Sequence, residues 1–439
     1  MQRRKFLYIA GVSAAGMTCS RASILQPPAL QRPAFPAANP RWKPMWDAAL
    51  TLLAGNITTL PHYDRPVLIE GSVYSGVWQE CGPLEGLVYA SLDWGFDPDA
   101  TTPPPLPIQV ATANHMAFFA LQRPDGQLPS SVKRSEVGFG QIQMVVPIAA
   151  TAWELVQLTH NEQLLATAYT ACSRWDAWLR RYRDTRKTGL VEGFCTYDTG
   201  QDNSPRWAGI PNRCPDSDAR KCPPLPSLPR LCPDLSATVY GGRIALASMA
   251  RALGKPAEAA LWDEDAETLR SLILTKLYSP EDAAFFDLDA QNNFVKVRGT
   301  AITRVLGEHV LKLEIPSDRK IFDAVWHRQI HNPKAFWSPF PFPSVALNDP
   351  AFVRPIPRNS WGRAAQALTA LRAPRWMEHY GKRAELHHLM RQWVEALAAS
   401  HGFRQQMDPV SGEFTMADPS GYSPAALVYL DFVRRLAAS

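Results

Sequence analysis

The stretch GFCTYDTGQDNSPRW, residues 193–207, sets Asp198, Gln201, Asp202, Asn203, Ser204 and Arg206 between two aromatics. Gly, Asp, Asn, Ser and Pro also build solvated turns, so these types alone are compatible with an ordinary connection. Together they offer hydroxyl-binding donors and acceptors and a carboxyl that can carry a proton. The chain holds 14 Trp, several of them in loops beside carboxylates or carboxamides: Trp78 in GVWQECGP, Trp207 in DNSPRW, Trp337 in FWSPF and Trp361 in RNSWGR. A single Trp fills core by default. Four such loops point to a carbohydrate cleft, because a sugar pairs apolar C–H faces with directional hydroxyls and is met by flat rings beside Asp, Glu, Asn, Gln and Arg.

Other chemistries find less support. His327 and His331 stand four apart, a metal-compatible spacing without the Glu of a protease motif. His387 and His388 read as a solvated pair. There is no Gly-rich phosphate loop and no nucleophile elbow, so neither a metal nor a cofactor is expected, and a structural calcium is left undecided. Of the 7 Cys, Cys195, Cys214, Cys222 and Cys232 crowd into one Pro-rich region without C-x-x-C spacing. That favours two disulfides over zinc, with three connectivities open. Cys81 and Cys172 sit among apolar residues and read as buried free thiols.

Elements that could position such a site come from the apolar spacing. Helical periodicity predicts segments near 45–53, 83–92, 109–121, 143–158, 162–182, 236–253, 257–277, 299–311, 319–329, 360–371, 376–400 and 423–438. In ALWDEDAETLRSLILTKLY, Leu261, Leu269, Leu272, Ile273 and Leu277 form one stripe with acids opposite. Strand-like alternation is scarce, and no repeat of fixed period stands out. Helices of this length joined by very unequal loops suggest a closed helical toroid. Two loops, DNSPRWAGIPNRCPDSDARKCPPLPSLPRLCPDL and HNPKAFWSPFPFPSVALNDPAFVRPIPRNS, are long and dense in Pro and aromatics, as rigid cleft walls would be.

The 439 residues are 46% hydrophobic and 20% charged, a globular profile able to bury a large core. Four cations, Arg3, Arg4, Lys5 and Arg21, fall in the first 22 residues with no acid among them, so without that segment the net charge of +5 drops to +1. A near-neutral chain has no electrostatic case for nucleic acid or an anionic membrane. The start, MQRRKFLYIAGVSAAGM, has a basic head and a short apolar run, too short to span a bilayer. It resembles a twin-arginine signal, with Arg3-Arg4 before Phe6-Leu7, and implies export to the periplasm or outside the cell. Lipid anchoring at Cys19 is disfavoured by Gly16 and Thr18. The expected organisation is a signal over 1–22, a Pro-rich leader over 23–41, and one domain over 42–439.

TGQDNSPRW resembles the motif of the inverting (α/α)6-barrel glycosidases, notably glycoside hydrolase family 63 and the mannosylglycerate hydrolases. The likeness runs through most of the mature chain: VYSGVWQECGPLEGLVYA, GQIQMVVP, CPDLSATVYGG, RNSWGRAAQALTALRAPRWMEHYG and FRQQMDPVSGEFTMADPSGYSPAALVYLDF each resemble a segment of that family. The resemblance implies an all-α, six-hairpin barrel with a loop-built cleft, and a carbohydrate substrate. It implies Asp202 as the general acid, with Asn203 and Arg206 orienting it or binding sugar hydroxyls. Trp78, Gln79, Glu80, Gln143, Trp207, Trp337, Trp361 and Gln405 are expected among the substrate-binding residues, and Asp198, outside the matched motif, on the surface or behind the site.

One position departs from the family. An inverting enzyme also needs a carboxylate that activates water, about 6.5–9.5 Å from the acid. The family's Glu falls here at Gln405, which cannot accept the proton; losing a base costs roughly 10²–10⁴ in rate. Glu413, in the same loop, or Glu80 then stands in as base. The alternatives are a sugar-binding protein without turnover, or a lyase or epimerase on the same barrel, against which the DNSPRW match argues. Sugar, linkage, anomer and oligomeric state leave no mark in the sequence.

Overall fold

Proline punctuates this chain, and helices begin where it falls. The computed structural model describes residues 32–99, 106–354, 361–415 and 420–438. The expected signal over 1–22 and most of the expected Pro-rich leader, up to residue 31, lie outside them. The described residues hold twelve α-helices: α1 (Lys43–Gly55), α2 (Gly82–Ala90), α3 (Leu106–Ala120), α4 (Ile148–Thr159), α5 (Glu162–Tyr182), α6 (Pro233–Ala252), α7 (Pro256–Leu272), α8 (Ala301–Gly307), α9 (Pro316–Val325), α10 (Ala367–Met377), α11 (Arg383–Ser400) and α12 (Ser423–Ala437). In α1, α2, α6, α7, α9 and α12 a Pro occupies the first turn, where its fixed φ suits the helix and its missing N–H has no partner to lose. Helix α5 is capped by Asn161, whose Oδ1 accepts from Leu164 N, and ends on Arg180 and Arg181 against the helix dipole.

Helices α2, α4, α6, α8, α10 and α12 touch in succession, and α12 returns to α2, closing an inner ring. Outside it, α3 packs on α2 and α4, α5 on α4 and α6, α7 on α6, α11 on α10 and α12, and α1 on α12. This is an (α/α)6 barrel. Burial follows the layer: α12 is buried without a break from Ser423 to Val433, whereas α7 buries only Ala259, Ala266, Leu269 and Arg270. Since each inner helix is entered from an outer one, the N-termini of the inner ring share one end of the barrel.

Several boundaries differ from the apolar pattern. Leu261 is exposed, not part of the buried stripe. The segment 257–277 leaves the α-helix at Leu272 for a π-turn over Ile273–Leu277, and 319–329 does the same over Trp326–Ile330. The segment 376–400 is split, because Gly381 takes a left-handed φ of 68° between α10 and α11. Short strands, invisible to periodicity, tie the loops together. Gly76–Trp78 pairs antiparallel with Ser131–Lys133, and Ala365–Gln366 with Gln406–Met407. Among the described residues no helix is long and apolar enough to cross a membrane.

The expected disulfides are not formed: Cys195, Cys214, Cys222 and Cys232 are free thiols. Cys195 and Cys214 are buried beside Phe194 with their Sγ atoms 3.7 Å apart, while the Cys232 thiol turns to the carbonyl of Arg230. Charge pairing holds this loop instead. Asp198, expected on the surface or behind the site, is fully buried against the Arg183 guanidinium and accepts from the backbone N–H groups of Ile142, Phe194 and Cys195.

Candidate active site

The segments entering the inner helices build a cleft. Trp78 and Glu80 precede α2, Gln141 and Gln143 precede α4, Asp202 and Arg213 precede α6, Trp361 precedes α10 and Gln405 precedes α12; all of them line it. It encloses about 680 Å³ counted out to solvent, a size suited to a small ligand.

Asp202 stands on a braced turn. Ser204 Oγ accepts from Arg206 N and caps the short helix Pro205–Trp207. The Arg206 guanidinium points away from the cleft, into a buried set of charges, bonding Asp234 at 2.7 Å and Asp287 at 2.5–2.7 Å. Burial opposes its charge, yet the two carboxylates raise its pKa well above the ordinary value. Burial likewise works against the Asp234 carboxylate, but Arg206 and then Arg304 outweigh it and hold it down at about 2. Gln201 joins the brace, accepting from Arg206 and donating to Thr300 Oγ1 at 2.9 Å. Arg304 donates to the Thr199 carbonyl at 2.7 Å. Asp202 is therefore half-buried on a backbone fixed from behind.

Gly200, two residues earlier, has a φ of 62°, and a Cβ there would stand 1.5 Å from Glu80 Oε2. The glycine lets the loop close directly onto Glu80. Burial, then the charge of Asp202, pushes Glu80 up to about 8, against the pull of Arg304, Arg372 and a hydrogen bond from Gln143. Beyond it, burial raises Glu85 to about 7. No hydrogen bond of normal geometry reaches either Glu85 oxygen, although the Cys81 thiol lies against them. Glu70 is raised well above the carboxylate range by burial, then by Glu85 and Glu80, while the Tyr422 hydroxyl, donating to Oε1 at 2.7 Å, pulls it down.

Gln405 also lines the cleft, and its Oε1 accepts from Tyr74 Oη at 3.0 Å. Of the residues expected from sequence, Asp202, Trp78, Glu80, Gln143, Trp361 and Gln405 meet in the cleft. Others do not line it. Gln79 is buried, with its amide donating to the Pro129 carbonyl. Trp207 is buried behind the loop, donating to Thr199 Oγ1. Trp337 packs with His331, Phe342 and His388. Asn203 is exposed at a left-handed φ of 59°, turning the chain after Asp202. Glu413, one candidate base, is exposed in the turn after Gly412, outside the cleft lining. Missed by sequence reasoning were Glu70, Tyr74, Lys133, Gln141, Tyr197 and Arg213. Glu70 had a signal: a carboxylate closing the apolar run Val67-Leu68-Ile69, which an ordinary surface loop would not bury.

A closed ring of helical hairpins that gathers carboxylates, carboxamides and indoles at the inner N-termini belongs to the six-hairpin glycosidase class. Residues 106–423 match the mannosylglycerate hydrolase MGH1-like glycoside hydrolase domain, and the chain belongs to that family, of the glycoside hydrolase family 63 type. A glucosylglycerate hydrolase of Mycolicibacterium hassiacum is 24% identical over 176 residues, 39% of this chain. The match spans only 36% of that relative's length. The family 63 mannosylglycerate hydrolase of Thermus thermophilus, solved with glucose, shares the fold with a TM-score of 0.67 at 18% identity over 88% of this chain and 99% of that one. Neutral trehalase Nth1 of Saccharomyces cerevisiae shares it with a TM-score of 0.60 at 13% identity, over 89% and 81%.

Proposed function

We propose that this chain is an exported, inverting glycoside hydrolase that cleaves a small glycoside, with Asp202 as general acid. The observation that carries the reading is the seating of Asp202. A half-buried carboxyl on a turn braced by Arg206, Gln201 and Ser204 faces a cleft whose other described acids, Glu70 and Glu80, are held above their ordinary range. In such surroundings a carboxyl can keep its proton for the departing oxygen. Water attacks from the opposite side of the sugar ring, so the product anomer is inverted. Trp78 and Trp361 supply flat faces for the ring, and Gln141 and Gln143 reach its hydroxyls.

The relatives named for glucosylglycerate and mannosylglycerate suggest an acidic aglycone. Lys133 and Arg213, both in the cleft lining and both paired with Glu136, supply cations for such a carboxylate. Export rests on the Arg3-Arg4 segment. A panel of α- and β-linked glycosides that includes both glycerate glycosides is the test, with the anomer of fresh product read by NMR. Asp202→Asn should lower kcat by roughly 10²–10⁴-fold at an unchanged Tm. Gln405 favours one second reading, binding without turnover; saturable binding with no product until Gln405→Glu is introduced would establish it instead.

A further inference from the structure

Two thiols lie against each other at the foot of the loop that carries Asp202. Cys195 and Cys214 have their Sγ atoms 3.7 Å apart, both are buried, and with Phe194 they form a small cluster outside the main core. They stand at the two ends of that loop, whose arms are already paired: Thr196 N donates to the Pro211 carbonyl at 3.0 Å and Tyr197 N to the Asn212 carbonyl at 3.1 Å. Both have unstrained extended backbones, Cys195 at a φ of −149° and Cys214 at −65°. A disulfide sets its sulfurs about 2.05 Å apart, so the two side chains together have to close about 1.7 Å. Cys81, Cys172 and Cys232 belong to the main core, and the Cys232 thiol turns to the Arg230 carbonyl.

A metal ion is the rival use of this cluster, because Cys195, Asp198 and Cys214 bring three ligand atoms within 4.8 Å of one another. Asp198, however, is already committed to Arg183 and to three backbone N–H groups. The Arg183 guanidinium also donates to Cys214 Sγ at 3.7 Å. A fixed cation at that point repels a metal ion, yet it steadies a sulfur anion. The charges favour sulfur chemistry.

We propose that Cys195 and Cys214 are an oxidation site, which a low-molecular-weight disulfide converts to a cystine that closes the Asp202 loop. Cys214, beside Arg183, gives up its proton and attacks one sulfur of the oxidant. The oxidant's S–S bond breaks, and its other half leaves as a thiol carrying that proton. Cys195 then attacks Cys214 Sγ, and the second half leaves as a thiol with the Cys195 proton. Two cysteines thus lose two protons and two electrons, and one disulfide is reduced to two thiols. Half-buried Cys222, packed on the pair, marks the side from which the oxidant enters. The bond does not depend on the hydrolase reading.

The whole chain is reduced, held with oxidised glutathione at pH 8, and compared with Cys195→Ser and Cys214→Ser. Arg206 and Arg213 lie between the two cysteines, so trypsin separates them unless they are bonded. The expected result is a single linked peptide joining Cys195 to Cys214, without bound glutathione on either. By loop entropy, a cross-link closing about 20 residues should raise the Tm of a domain of this size by about 4 °C, and neither serine variant should show the rise. Alkylation of both thiols after the oxidation overturns the proposal, as does a bond from either one to Cys222 or Cys232. Zinc retained by the reduced chain and lost in both serine variants also overturns it, in favour of a metal site. Peptide mass and Tm are read without substrate, so inactivity on the glycoside panel would sink the hydrolase reading and leave the disulfide standing.

Discussion

Replacing Arg206 by Met takes the cation out from between Asp234 and Asp287 and leaves two carboxylates in a place with almost no solvent. Arg206 is 4% exposed and bonds both acids; Arg304 remains to Asp234 at 3.2 Å, and among the described residues no other cation pairs with Asp287. Removing one partner of a buried ion pair costs about 3–5 kcal/mol. At roughly 2.1 cal/mol/K per residue, a folded domain of about 400 residues unfolds with about 0.8 kcal/mol/K, so the expected fall in Tm is about 4–6 °C. In the parent, Asp234 at about 2 contributes stability present above its unfolded pKa of about 3.9 and lost as pH falls towards 2. In the variant the orphaned carboxylates are relieved when they take up protons. The Tm gap should therefore be widest near pH 7–8 and narrow as pH falls. Thermal melts across that range, with kcat and KM at each pH, are the assay. A variant with an unchanged Tm and a raised KM would refute the reasoning, because it would put Arg206 on the sugar and not beneath the loop.

The buried acids of the cleft make a second pH prediction with the opposite sign. Burial raises Glu70 and lifts Glu80 to about 8 and Glu85 to about 7, so the folded chain holds their protons where the unfolded chain has lost them. Their contribution to stability is whole below about pH 4.3 and is lost as pH rises through 7–8. Glu80→Gln should leave Tm nearly unchanged at pH 5 and raise it relative to the parent at pH 8; parallel curves would contradict the assignment. For export, Arg3→Lys with Arg4→Lys should keep the protein in the cytoplasm of a host with twin-arginine transport, and fractionation showing undisturbed export would remove that reading.

Repetitive and local features were legible in the sequence. Helices announced themselves through apolar spacing and through Pro in the first turn, and the inner ring through unbroken runs such as the start of α12. The breaks inside helices were not legible. Gly381 separates α10 from α11 although the apolar period runs across it, because periodicity records which face is buried and not whether the axis turns. Tryptophan gave an incomplete signal for the same reason. Trp78 and Trp361 face the cleft, while Trp207 and Trp337, in loops of similar composition, pack into protein.

By itself the sequence determined that a helical barrel would form, that its loops would be rich in rings and amides, and that Asp202 would sit in a motif shared with glycosidases. Only the tertiary structure decided the partners. It turned Arg206 inward to Asp234 and Asp287, set Gly200 against Glu80, and bonded Glu70 to Tyr422 from more than 300 residues away. The physical reason lies in the range of the forces. Helix formation and capping are settled within a few residues, whereas the protonation of a carboxyl and the direction of a guanidinium depend on burial and on charges that closure of the ring brings together.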